Sequence, residues 1–139
     1  MRLVLDTDVV IAGMRSPTGA SAAILQFVRK GRATLVLSVA LALEYEAACF
    51  QAEHRLVSSM SEEEVDIFLA AVIAMAEPVA THFLWRPQLR DAGDEMVLEA
   101  AVNGRADALV SFNVRDFGSA RFGIQLLQPR QAVMRVKLS

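Results

Sequence analysis

Apolar residues along the chain fall into two kinds of pattern: short unbroken runs, and stretches that repeat every three or four positions. Leu3-Val4-Leu5 is a run that stops abruptly at Asp6, the signature of a buried strand with a carboxylate at its C-terminal end. Ser16-Pro17-Thr18-Gly19 reads as a loop, after which Ile24, Phe27 and Val28 take helical spacing and Gly31 stands where a C-terminal cap belongs. Thr34 to Ser38 predicts a second strand and Val39 to Glu53 a helix. Ser61-Glu62-Glu63-Glu64 has the form of a capping box. The helix it opens carries Val65, Phe68, Leu69, Val72 and Ile73 on one face and closes at Pro78. Val79 to Leu84 reads as a weak third strand, Asp94 to Asn103-Gly104 as a helix, and Ala108 to Ser111 and Ile124 to Leu127 as further strands. Strands alternating with helices at short spacing imply an α/β domain in three layers, with a mostly parallel sheet of about four to five strands covered on both faces.

Length and composition narrow the class. One domain over residues 1–139 can bury roughly two thirds of its unfolded surface and needs no staples. A single cysteine, Cys49, excludes an internal disulfide, and with only His54 and His82 beside it there are too few ligands for a Cys/His zinc cluster. These features suit a reducing, cytoplasmic setting. The opening Met1-Arg2-Leu3-Val4-Leu5 falls short of a secretory apolar region, and Ile67 to Ala76 reaches only half of the roughly 20 residues of a membrane span, so neither a signal peptide nor a membrane anchor is expected. The formal charge of −2 argues against a dedicated duplex binder but permits a local basic rim. Apolar residues make up 54% of the chain, compatible with either a partner-covered surface or alanine-rich helices. Cys49 is expected as core filler, and His54, His82 and Trp85 are expected outside the site.

Four segments place acids where core or turn residues would ordinarily stand. Asp6 and Asp8 follow the first strand, and in an open α/β sheet the strand C-termini form the ligand crevice. Asp8 is equally explained as the N-cap of a helix from Val9 to Met14. Glu44 shares a stripe with Ala40, Leu43 and Ala47 that should face the core or a crevice wall, whereas Glu46 and Glu53 belong to a solvated face. Asp94 lines up with Val97, Leu98 and Ala101 at the start of a helix, where N-capping accounts for it as well as function does, and Asp91 suits a loop. Ser111, Asn113 and Asp116 follow a buried strand and are delivered to the sheet edge of Asp6, with turn chemistry as the alternative. Carboxylates converging at one sheet end repel unless a cation compensates, and hard oxygen donors select Mg²⁺ or Mn²⁺.

These residues resemble the PIN-domain ribonucleases, particularly the toxin components of bacterial toxin–antitoxin pairs often called VapC-type toxins. Val4-Leu5-Asp6-Thr7-Asp8-Val9-Val10-Ile11 is similar to the family's opening strand and Asp-Thr-Asn signature, with Asp8 standing where Asn is more usual. Ser38 with Glu44, Asp91-x-x-Asp94, and Ala106 to Phe117 are similar to the later motifs, the last being the most specific. The resemblance implies an acidic quartet of Asp6, Glu44, Asp94 and Asp116 for Mg²⁺ or Mn²⁺, with Asp8 and Asp91 as outer metal ligands and Thr7, Ser111 and Asn113 as polar supports. It implies hydrolysis of RNA by activated water, a small antitoxin partner and a homodimer. Arg86, Arg90, Arg115 and Arg121 lie near the motifs as candidate phosphate contacts or as ordinary surface.

Two rivals remain open at this level. One is a non-enzymatic interaction module in which the acids cap helices or hold a structural cation. The other is a haloacid-dehalogenase-like phosphatase built on Asp6 and Asp8, which would need a well-placed lysine; Lys30 and Lys137 sit far from the motifs in sequence.

Overall fold

The computed structural model describes residues 1–51, 59–81, 91–118 and 123–139. In chain order these form β1 (Arg2–Leu5), α1 (Thr7–Arg15), α2 (Ala20–Arg29), β2 (Thr34–Leu37), α3 (Val39–Cys49), α4 (Glu62–Met75), β3 (Glu77–Pro78), α5 (Ala92–Asn103), β4 (Ala108–Val110), a 3₁₀ turn (Val114–Phe117), β5 (Gln125–Leu127) and α6 (Pro129–Leu138). The five strands make one parallel sheet in the order β3-β2-β1-β4-β5, and the helices cover it in a three-layer α/β/α arrangement. None of the described helices is long and apolar enough to cross a membrane.

Parallel strands are buried on both faces, which is why the three central ones read as unbroken apolar runs. Leu3, Val4, Leu5, Ala108, Leu109 and Val110 have no accessible surface. The register sets Leu3 beside Leu35 on one side and beside Ala108 on the other, and Leu5 beside Val110. Helix α5 rests on β1, β2 and β4, whereas α6 packs on α2, β4 and β5. The chain moves from β1 to β2 and from β4 to β5 in opposite directions across the sheet. The β1–β4 boundary is therefore the topological switch point, outside which a crevice opens at the strand C-termini.

Several expectations shift on this frame. The third strand is Glu77–Pro78, paired with Val36 and Leu37; of the expected strand from Val79 to Leu84, residues 79–81 are not strand and 82–84 lie outside the described residues, while Pro78 tolerates an edge position and Val79 N–H donates to Leu37 C=O at 3.0 Å. Helix α4 consequently stops at Met75, before Pro78. Its capping box is present as read, and Val65, Leu69 and Val72 are buried, while Ile73 at the stripe's margin is 43% exposed. Helix α3 ends at Cys49, and Glu53, His54, His82 and Trp85 lie outside the described residues. Gly31 takes the expected cap role just past α2, with φ of 75°. Helix α6 escapes the sequence reading altogether. Its signals are Pro129 at the first helical position, reciprocal Gln128–Gln131 capping, and buried Ala132 and Val136 four apart.

Candidate metal centre

Asp6 stands one residue past the end of β1. Its N–H donates to Val110 C=O at 2.8 Å, so the β1–β4 ladder fixes its backbone. Opposite it, Ser111 is anchored the same way, donating its N–H to Leu127 C=O at 2.9 Å. The two side chains meet across the switch point: Ser111 Oγ donates to Asp6 Oδ2 at 2.6 Å. Asp6 Oδ1 accepts from Thr7 N–H at 2.8 Å, which makes Asp6, not Asp8, the N-cap of α1. The Asp8 capping alternative therefore falls, because the helix begins one residue before Asp8.

Asp8 is engaged instead across the crevice. Its Oδ2 accepts from Asn113 Nδ2 at 3.0 Å and from Phe112 N–H at 3.2 Å, while Asn113 N–H donates to Ser111 Oγ at 2.9 Å. The first turn of α1 and the segment after β4 are thus laced together around two carboxylates. Asp8 Oδ1 is buried with no hydrogen-bond partner. An orphaned buried carboxylate oxygen is costly unless something neutralises it.

Helix α5 brings a second N-terminus to the site. Asp91, exposed, caps it by accepting from Gly93 N–H at 2.7 Å and Asp94 N–H at 3.2 Å. Asp94 is therefore free of the capping duty and lies half-buried in the first turn, above the buried Val97, Leu98 and Ala101. Asp116 is exposed on the 3₁₀ turn, which buried Phe117 pins to the core.

The electrostatics record the convergence. Burial raises the Asp6 carboxyl above its usual range; the hydrogen bonds from Ser111 and Thr7 oppose this, and the charges of Asp116 and Asp91 add to it. Burial and then Asp6 push Asp8 up to about 6. Burial, followed by the charges of Asp6, Asp91, Asp116 and Asp8, takes Asp94 to about 6. Five acids from three segments therefore share one end of the sheet.

Glu44 is carried by a separate element, α3. The stripe Ala40, Leu43, Ala47 faces outward, with Leu43 61% exposed, because α3 buries Leu41, Tyr45, Ala48 and Cys49 instead. Glu44 sits at the edge of that buried stripe, half-exposed, next to Tyr45. Tyr45 is the residue that sequence reasoning missed. Wholly buried, it donates its hydroxyl to Leu5 C=O, directly below Asp6. Burial, together with the charges of Asp6, Cys49 and Asp8, holds its phenol well above the ordinary value, so it stays a donor. A lone tyrosine in an otherwise apolar helix face was its only signal, since a buried hydroxyl needs a partner.

In kind, the donors suit a hard divalent cation: carboxylate oxygens only, one of them buried and unpartnered. The side chains as placed do not close into a ligand shell, for among the described residues no group of three or more His, Cys, Asp or Glu converges on one point. Arg115 is exposed, and Arg86, Arg90 and Arg121 lie outside the described residues. The PIN domain family profile matches residues 2–115, a span that includes Asp6, Asp8, Glu44, Asp91, Asp94, Ser111 and Asn113. The chain belongs to the PIN domain family. PIN domains are in general nucleases, hydrolases that act on nucleic acid and typically use divalent metals. No curated protein and no solved structure matches the chain. The match stops just short of Asp116, whose inclusion in the site rests on its charge being felt at Asp6 and Asp94.

Proposed function

We propose that this PIN domain is a Mg²⁺- or Mn²⁺-dependent endoribonuclease and the toxin of a toxin–antitoxin pair. The observation that carries the reading is the gathering of Asp6, Asp8, Asp91, Asp94 and Asp116 at the switch point, with Asp8 Oδ1 buried and unpartnered. Asp6, Asp94, Asp116 and Glu44 would hold the ion, with Asp8 and Asp91 as outer donors. When bound, it would lower the pKa of a coordinated water and offset charge on the leaving oxygen of a phosphodiester.

The chain's own residues prepare this chemistry. Ser111 and Thr7 fix the Asp6 carboxylate in one rotamer, with Oδ1 and Oδ2 each held by a donor. Tyr45 secures the strand end below it. Asp8 holds Asn113 and the backbone of Phe112, and so sets the start of the turn that carries Asp116. The phosphatase alternative finds no support, since both lysines of the chain are exposed, Lys30 at the end of α2 and Lys137 near the end of α6.

Exposed Val39, Leu43, Ile67 and Ile73 on α3 and α4 suit a homodimer or an antitoxin contact. Cys49, buried and raised by burial to about 11, suits a thiol that stays unreactive in a reducing cytoplasm. The deciding experiment is cleavage of mixed cellular RNA with Mn²⁺ or Mg²⁺, run beside EDTA and Asp6→Asn. Cleavage lost in both controls supports the nuclease. A folded protein that forms a stable complex with a partner yet never cleaves RNA would favour the non-enzymatic module, the reading that the open arrangement of the acids also allows.

A further inference from the structure

Phe112 lies between two residues wholly engaged in the site: Ser111, whose hydroxyl holds Asp6, and Asn113, whose amide holds Asp8. Its own N–H is bound by Asp8 Oδ2 at 3.2 Å. The backbone is fixed, yet the side chain is 48% exposed, and it is the aromatic member of the exposed large apolar side chains among the described residues. A ring held in water on a fixed backbone forgoes the burial that would ordinarily place it in the core. Its surroundings are acidic, on a chain of formal charge −2, so they repel a phosphodiester unless a cation intervenes. Affinity for a polyanion at such a site needs an uncharged contribution. Stacking on an aromatic face supplies one, because every nucleobase has a π-face.

We propose that Phe112 is a stacking platform for an unpaired base of single-stranded RNA beside the phosphodiester to be cut. This rests on the nuclease reading above, and it requires a base free of a partner strand, because paired bases hide their faces. The contribution is insensitive to salt, unlike contacts from arginines to phosphate.

The test is steady-state cleavage of an RNA oligonucleotide, alone and annealed to its complement, with Mn²⁺. Wild type is compared with Phe112→Ala, Phe112→Leu and Phe112→Trp, each checked for an unchanged thermal midpoint. Phe112→Ala is expected to raise KM for the single strand by about 10-fold with kcat nearly unchanged. Phe112→Trp should restore KM and Phe112→Leu should not. An unchanged KM in Phe112→Ala overturns the proposal while leaving the nuclease standing. A leucine as good as phenylalanine overturns it too, and points to an apolar protein contact. If wild type does not cleave, the nuclease reading is what fails, and tryptophan fluorescence of Phe112→Trp in a Trp85→Phe background decides the stacking. Quenching by the oligonucleotide upholds it and an unquenched signal overturns it.

Discussion

Ser111 Oγ donates to Asp6 Oδ2 at 2.6 Å between two residues that lie 105 apart in the chain and both under one tenth exposed. The bond ties the ends of two neighbouring parallel strands at the point where the chain reverses its course across the sheet. Ser111→Ala removes the donor and leaves a buried carboxylate oxygen without it. The expected loss is about 1.5–3 kcal/mol of stability, read as a lower urea midpoint at neutral pH. Because the Ser111 bond lowers the Asp6 pKa, the variant's Asp6 should titrate higher still, which carboxyl NMR would register.

Asp8 and Asp94 give the fold a signed pH dependence. Both carboxyls are raised to about 6, against an ordinary value of about 3.9. Between those values the folded protein binds more protons than the unfolded chain, so the stability they contribute is complete below about 4 and is lost as pH rises through about 6. Urea midpoints across this interval should fall more steeply in wild type than in an Asp8→Asn, Asp94→Asn double variant. Parallel curves for the two proteins would sink this account.

The same charge excess sets the response to divalent ions. Mn²⁺ should raise the thermal midpoint above pH about 6 and do less near pH 4, where Asp8 and Asp94 are protonated. At 100-fold excess over Kd the gain is about 2.7 kcal/mol, and EDTA should abolish it. Asp6→Asn should remove most of the metal-dependent gain.

Tyr45→Phe isolates a group with no exposed atom. The variant loses one buried hydrogen bond, to the Leu5 carbonyl just below Asp6, at an expected cost of about 1 kcal/mol. RNA cleavage should fall with unchanged KM, since the change loosens the strand end that carries Asp6 and does not touch a substrate site. A raised KM with normal kcat would contradict this.

Gly104, directly after α5, tests packing away from the carboxylates. A Cβ there would lie 2.1 Å from Val36 Cγ1 and 2.9 Å from Ala100 O, so Gly104→Ala overpacks the contact between α5 and the sheet. A destabilisation of about 1–3 kcal/mol is expected by chemical unfolding, with metal affinity retained while the protein is folded.

The order of strands and helices was legible because parallel buried strands and amphipathic helices write different periods. The places where that legibility failed share a cause. Strand β3 is two residues long and lies at the sheet edge, so burial leaves little pattern on it, and both residues are exposed. On α3 two candidate apolar stripes compete, and the choice of Leu41, Tyr45 and Ala48 over Ala40, Leu43 and Ala47 depends on what the helix packs against. Likewise Asp and Asn are common at caps and turns, so the residue types at 6, 8, 91 and 94 could not by themselves divide capping from site duties.

The sequence by itself determined the alternating α/β pattern, the abrupt change from apolar run to acid at Asp6, and the presence of further acids after later elements. Tertiary structure decided that Asp6 and Asp91 cap their helices, which releases Asp8 and Asp94 into the crevice, and that Ser111 and Tyr45 secure the end of β1. The division is physical. Periodicity and chain breaks are local and survive in one dimension, whereas Ser111, which holds Asp6 Oδ2, and Asn113, which holds Asp8 Oδ2, each lie 105 positions from their partner and are brought there only by strand order and register.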